Sequence, residues 1–68
     1  MNTRLIEARK RAHLSVAALA LKAGVTERVV RYAETGGRTL DSNQFAIAGA
    51  LGMDVLELWP IEPEDEAA

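Results

Sequence analysis

The run Leu14-Ser15-Val16-Ala17-Ala18-Leu19-Ala20-Leu21-Lys22-Ala23-Gly24-Val25-Thr26-Glu27-Arg28-Val29-Val30-Arg31-Tyr32-Ala33-Glu34-Thr35-Gly36 decides the fold. Ser15 is a good N-cap, and Val16, Leu19, Ala20 and Ala23 recur at helical spacing, which predicts a helix over 16–23 with one buried stripe. Gly24 ends it, since glycine tolerates the left-handed conformation that closes a helix and lets Val25 fall back onto the core. Thr26 restarts the chain as a second N-cap. The helix predicted over 27–35 carries Val30 and Ala33 inward and stops at Gly36-Gly37. Ala20 and Ala23 are small enough for the two helices to cross closely. Helix, tight turn and helix make a unit whose second helix fits the major groove of duplex DNA.

Working outward, the same periodicity predicts a helix over 3–12 with Leu5, Ala8, Arg9 and Ala12 along one stripe and Glu7, Lys10 and Arg11 facing water or phosphate. His13 is expected to cap its C-terminus. A helix over 42–51 follows Asp41-Ser42, turns Phe45, Ile47, Ala48 and Leu51 toward the core, and closes at Gly52. Asp54 and Glu57 have capping-box spacing, so a brief helix over 54–59 is predicted before Pro60 stops it. Five helices and no strand give an all-α fold in one domain over 1–60. Residues 61–68, Ile-Glu-Pro-Glu-Asp-Glu-Ala-Ala, are acidic and poor in core formers, and are expected to be a flexible tail.

A chain of 68 residues holds a single small domain with a marginal core, so oligomerisation is expected to bury more surface. Without cysteine there is no disulfide framework and no thiolate metal site, and a single histidine offers no metal cluster. No apolar run approaches the roughly 20 residues that span a bilayer, and the N-terminus has no signal-type apolar segment. A cytoplasmic protein with no cofactor and no membrane contact is expected. No nucleophile–base constellation or phosphate-cradling glycine loop points to an enzyme.

The net charge of −2 conceals a division. Residues 1–39 carry eight basic against three acidic side chains, a balance of +5, whereas residues 40–68 carry seven acidic and no basic ones, −7. Such asymmetry is a hint that the basic half meets nucleic acid, although small soluble domains also carry uneven charge for solubility alone.

Arg9, Leu14, Ser15, Leu19, Ala20, Gly24, Val25, Val30, Glu34 and Gly36, followed by Ile47-Ala48, Ala50-Leu51-Gly52, Val55-Leu56 and Trp59, form a pattern that resembles the lambda-repressor-like helix-turn-helix family, the Cro and phage-repressor type also called XRE. The likeness runs from Arg4 to Trp59, most of the chain. It implies a compact five-helix DNA-binding domain with the helix-turn-helix at its second and third helices. On that reading the third helix and the loop after it carry DNA contact through Thr26, Glu27, Arg28, Val29, Arg31, Tyr32, Arg38 and Thr39. A guanidinium of Arg28 or Arg31 can fork onto guanine or clamp a phosphate, Val29 can meet a thymine methyl, and Glu27 can accept from cytosine. Tyr32 either reaches a base or wedges against the fourth helix. Arg38 and Thr39 follow the sugar-phosphate backbone, and the amides of Ser15 to Ala17 offer a further phosphate site. The resemblance also implies an Arg9–Glu34 ion pair between the first helix and the end of the third.

Leu56 and Trp59, on a short last helix, are expected either to form a dimer contact or, for Trp59, to close the core. The chain departs from the family pattern at Val16 and Glu27, where relatives carry polar neutral groups, at His13, and at Thr39-Leu40-Asp41, which lacks a proline. Two function classes follow. One is a DNA-binding transcriptional regulator, a repressor that binds a short inverted repeat as a homodimer and is nucleoid-associated when bound. Its recognition helices would lie about 34 Å apart, and its log–log salt slope would be on the order of −8. The other is an antitoxin-like or anti-repressor-like interaction module whose acidic C-terminal segment engages a protein partner.

Overall fold

Short polar side chains set the first three helix starts. In the computed structural model, which describes residues 1–61, α1 spans Thr3–Arg11, α2 Val16–Ala23, α3 Glu27–Glu34, α4 Asp41–Leu51 and α5 Val55–Leu58. Asn2 Oδ1 accepts from the Leu5 N–H at 3.0 Å, Ser15 Oγ from Ala18 at 3.0 Å, and Thr26 Oγ1 from Val29 at 3.2 Å. Each bond satisfies an amide left without an intrahelical partner. α4 differs, because its N-cap is Leu40 with no side-chain bond and the helix starts at Asp41. At α5 the Glu57 carboxylate reaches back to accept from the Asp54 N–H at 3.3 Å. The acidic tail expected over 61–68 falls, apart from Ile61, outside the described residues.

The helix ends share one chemistry. After α1, α2, α3 and α4 the chain takes one left-handed residue, His13, Gly24, Gly36 and Gly52 respectively. The next amide returns to the last turn: Leu14 to the Arg9 carbonyl at 3.1 Å, Val25 to Ala20 at 3.0 Å, Gly37 to Tyr32 at 3.0 Å and Met53 to Ala48 at 2.9 Å. Glycine adopts this conformation without strain. His13, at φ 60°, does so with a side chain, in a backbone region where histidine is more tolerated than most residues but still costs energy.

Leu5 and Ala8 of α1, Leu19 and Ala20 of α2, Val30 and Ala33 of α3, Ile47 and Ala48 of α4 and Leu58 of α5 form the buried cluster. Leu14, Val16, Ala23, Val25, Val29, Leu51, Met53, Val55 and Trp59 pack around it. α2 lies against α3 and α4, α1 against α3 and α5, and α4 against α5. Burying each large apolar side chain contributes about 1.5–3 kcal/mol before entropy is counted. The alanines let the helices pack closely around Leu5, Leu19, Val30, Ile47 and Leu58, the largest fully buried side chains.

Two expectations about the core are corrected. Phe45 is 67% exposed instead of inward, because residues two apart on a helix lie about 200° apart, so Phe45 cannot share a face with Ile47. Ala12 is exposed because α1 ends at Arg11 and the chain has begun to turn. Leu58 is the buried residue of α5, and Trp59 takes the core-side one of its two expected places, half-buried against the cluster.

Two polar residues fasten the bundle. Arg9 Nε donates to Glu34 Oε2 at 2.6 Å and Nη2 to Oε1 at 3.4 Å, while Nη1 donates to the Leu14 carbonyl at 2.9 Å. One guanidinium thus ties α1 to the end of α3 and to the turn before α2. Asn2, besides capping α1, donates its backbone N–H to the Glu34 carbonyl at 2.9 Å and Nδ2 to the Leu58 carbonyl at 3.0 Å. Through this one residue the ends of α3 and α5 are held beside the start of α1.

Candidate nucleic-acid interface

α3 divides cleanly by helical period. Val30 and Ala33 are fully buried and Val29 and Glu34 are half-buried, so the opposite face carries Glu27, Arg28, Arg31, Tyr32 and, just past the helix, Thr35. Arg28, Arg31, Tyr32 and Thr35 line one shallow depression, and Arg28, Val29 and Tyr32 line an adjoining one. A third, formed by Arg38, Thr39, Leu40, Asp41 and Ser42, lies where the chain passes from α3 to α4.

The anchoring of this surface follows from the sequence around it. Thr26 holds the start of α3 by accepting from Val29, so its hydroxyl oxygen already has a structural task. Glu27 pairs with Arg31 at 3.1 Å across one helical turn, both side chains largely exposed at 47% and 64%. A pair so exposed is worth little and is screened by salt. Arg28 and Arg38 are exposed and have no ion-pair partner among the described residues.

Tyr32 is 55% exposed and lies over the turn that follows α3. Its ring rests on Gly37, where an added Cβ would lie 2.3–2.5 Å from the Cζ, Cε1 and Cε2 atoms at the phenol end of the ring. Glycine at 37 is therefore a steric requirement of this tyrosine position. Thr35 Oγ1 donates to the Tyr32 carbonyl at 2.7 Å and Thr39 Oγ1 to the Gly37 carbonyl at 3.1 Å, so both hydroxyls brace the turn that leads to Arg38.

No protein-family model, curated protein or solved structure matches this chain.

Of the eight residues expected to face a ligand, the fold brings Arg28, Arg31 and Tyr32 together on one open face and sets Arg38 and Thr39 in the neighbouring turn. Val29 is half-spent on the core, and Thr26 and Glu27 are engaged within the helix. Thr35, Leu40, Asp41 and Ser42 also belong to this surface and were not anticipated. The signal for Thr35 was present: it follows Arg28 by seven and Tyr32 by three, the spacing of one helix face. Two exposed apolar residues on α4 and at its cap, Phe45 and Leu40 at 67% and 70%, were equally unforeseen. Leu56 is 52% exposed, while Trp59 is largely committed to the core edge.

No described helix is long and apolar enough to cross a membrane. Among the described residues no group of three histidine, aspartate or glutamate side chains is placed to hold a metal.

Proposed function

We propose that this chain is a sequence-specific DNA-binding transcriptional regulator of the lambda-repressor-like type, in which α2 and α3 form the helix-turn-helix and α3 enters the major groove. The observation that carries the reading is the outward face of α3, where Arg28, Arg31 and Tyr32 stand together while the same helix is pinned from behind by Val30 and Ala33. An α-helix with its side chains is about 10–12 Å across, which a major groove about 12 Å wide admits. Arg28 reads a base edge or a phosphate, Arg31 exchanges Glu27 for phosphate, and Arg38 in the turn after α3 clamps the backbone. Thr26 and Thr39 position these groups. A homodimer that represses by occupying a short inverted repeat is the simplest form, with the exposed Leu56 and Phe45 supplying apolar surface and Trp59 backing it from the core.

Selection from a random duplex pool, followed by gel-shift titration at two salt concentrations, tests this reading. The expected result is an enriched inverted repeat with half-sites one helical turn apart and affinity that falls steeply with salt. Failure to retain any duplex at micromolar protein would refute it. The exposed Leu40, Phe45 and Leu56 favour a second reading, an interaction module that binds a protein partner. That reading predicts that R28A/R31A leaves partner binding intact.

A further inference from the structure

Arg28 and Tyr32 border both depressions on the outward face of α3, and the two linings differ in chemistry. One adds Arg31 and Thr35, so two guanidiniums and a hydroxyl surround it. The other adds only Val29, which leaves a single cation beside an aliphatic and an aromatic side chain. Val29 packs partly against the core, and the rest of its surface opens into this second depression. Tyr32 closes the opposite side with its ring over Gly37. Along the helix axis Arg28 and Tyr32 are about 6 Å apart at about 1.5 Å per residue, less than two base-pair steps of about 3.4 Å. The lining is thus short enough to serve one base pair and its immediate neighbour.

In the major groove guanine offers O6 and N7 to a guanidinium, and the apolar group that a base edge presents is the 5-methyl of thymine. Cytosine carries a hydrogen at the same carbon, and 5-methylcytosine a methyl. We propose, on the DNA-binding reading, that the depression formed by Arg28, Val29 and Tyr32 is a subsite for the 5-methyl group of a pyrimidine beside a guanine held by Arg28. Tyr32 is then a specificity-determining residue, and Gly37 positions it. The depression that adds Arg31 and Thr35 has the wrong chemistry for a methyl, which would displace water from two charged groups without giving them a partner. One consequence reaches beyond base sequence: methylation of a cytosine at this position strengthens binding, so occupancy responds to a covalent mark on the DNA.

The test uses the full-length chain and synthetic duplexes of the inverted repeat enriched from the random pool. In one series a thymine beside a guanine is replaced by uracil, which keeps the pairing and removes only the methyl. In the other, the same pair is changed to cytosine with guanine, with and without the 5-methyl group. Uracil is expected to weaken binding about threefold to fivefold per half-site, the worth of burying one methyl-sized group, and methylation of the cytosine to strengthen it by the same factor. Uracil at thymines without a guanine neighbour should change nothing. Y32A, a substitution at an exposed side chain, and V29A should both bring the two ratios toward one; the duplex series decides without any protein variant should V29A fail to fold. An enriched repeat with no thymine beside guanine, a methyl without effect in either series, or ratios unmoved in Y32A overturns the subsite and leaves the regulator reading standing. If no duplex is retained at micromolar protein, that reading fails and the subsite with it.

Discussion

Replacing Arg9 by alanine removes three hydrogen bonds at once and leaves the Glu34 carboxylate, 12% exposed, with no cation beside it. Breaking one side of a largely buried ion pair costs about 3–5 kcal/mol, because the remaining charge has lost its water without keeping its partner. Both side chains retain a little solvent, at 14% and 12%, which places the expected loss near the bottom of that range, about 3 kcal/mol. A domain of this size has only about 3–9 kcal/mol in total, so R9A should unfold at far lower urea, with Tm lowered by at least about 12 °C. Urea titration followed by Trp59 fluorescence and helical circular dichroism measures the loss. E34Q, which keeps an acceptor for Nε, should cost less than R9A. The apolar pair R9M/E34L should recover much of the deficit by relieving the desolvated charge. E27Q provides the comparison, since its pair with Arg31 is exposed and should change stability by less than about 0.5 kcal/mol. If R9A costs no more than E27Q, the argument that this guanidinium fastens α1 to α3 is wrong.

His13→Gly removes the side chain from the one non-glycine residue at positive φ and should stabilise the domain by about 0.5–1 kcal/mol, read as a higher urea midpoint at unchanged slope; a loss would mean that the imidazole makes a compensating contact. Gly37→Ala should expel the Tyr32 ring from its seat, seen as shifted ring proton signals, and Y32A should abolish most of any accompanying stability loss in the double variant. Arg28→Ala should leave the melting temperature within about 2 °C, since exposed charges contribute little. It should also weaken duplex binding by about 1–3 kcal/mol, and a change in fold without a change in binding would reverse the roles given to this residue.

How far the fold is legible in the sequence can be argued residue by residue. Ser15, Thr26, Gly24, Gly36 and Gly52 act through local backbone chemistry, and the helix limits they imply agree with the structure to within one residue. α4 shows where such signals fail. Its cap is Leu40, which has no polar atom to announce it, and its interior mixes alanine, glycine and serine, so the hydrophobic stripe is faint. A strong hydrophobe at Phe45 was then drawn inward against the helical period. Asn2 was missed for another reason. Its cap to Leu5 is local and readable, but its bonds to Glu34 and Leu58 join residues far apart in the chain, and nothing in the spacing reveals them. On α3 the period alone separates Val30 and Ala33 from Arg28 and Arg31. The place of Tyr32 over Gly37 depends on how the chain leaves the helix, which the spacing does not reveal.

The polar residues of this domain fall into two groups with different physical fates. Asn2, Arg9, Ser15, Thr26 and Glu34 are consumed by caps and ties, and each can be assigned a backbone or ion-pair partner. Arg28 and Arg38 have no such task among the described residues, and Arg31 has only a screened one. Exposed cations without partners add little to stability, and Arg28 and Arg31 share one face of α3 with Tyr32, next to the braced turn that carries Arg38. Exposed guanidiniums on a short helix and the turn after it suit a partner that presents negative charge at regular intervals. Duplex DNA has that property, and this is the physical ground of the proposed reading.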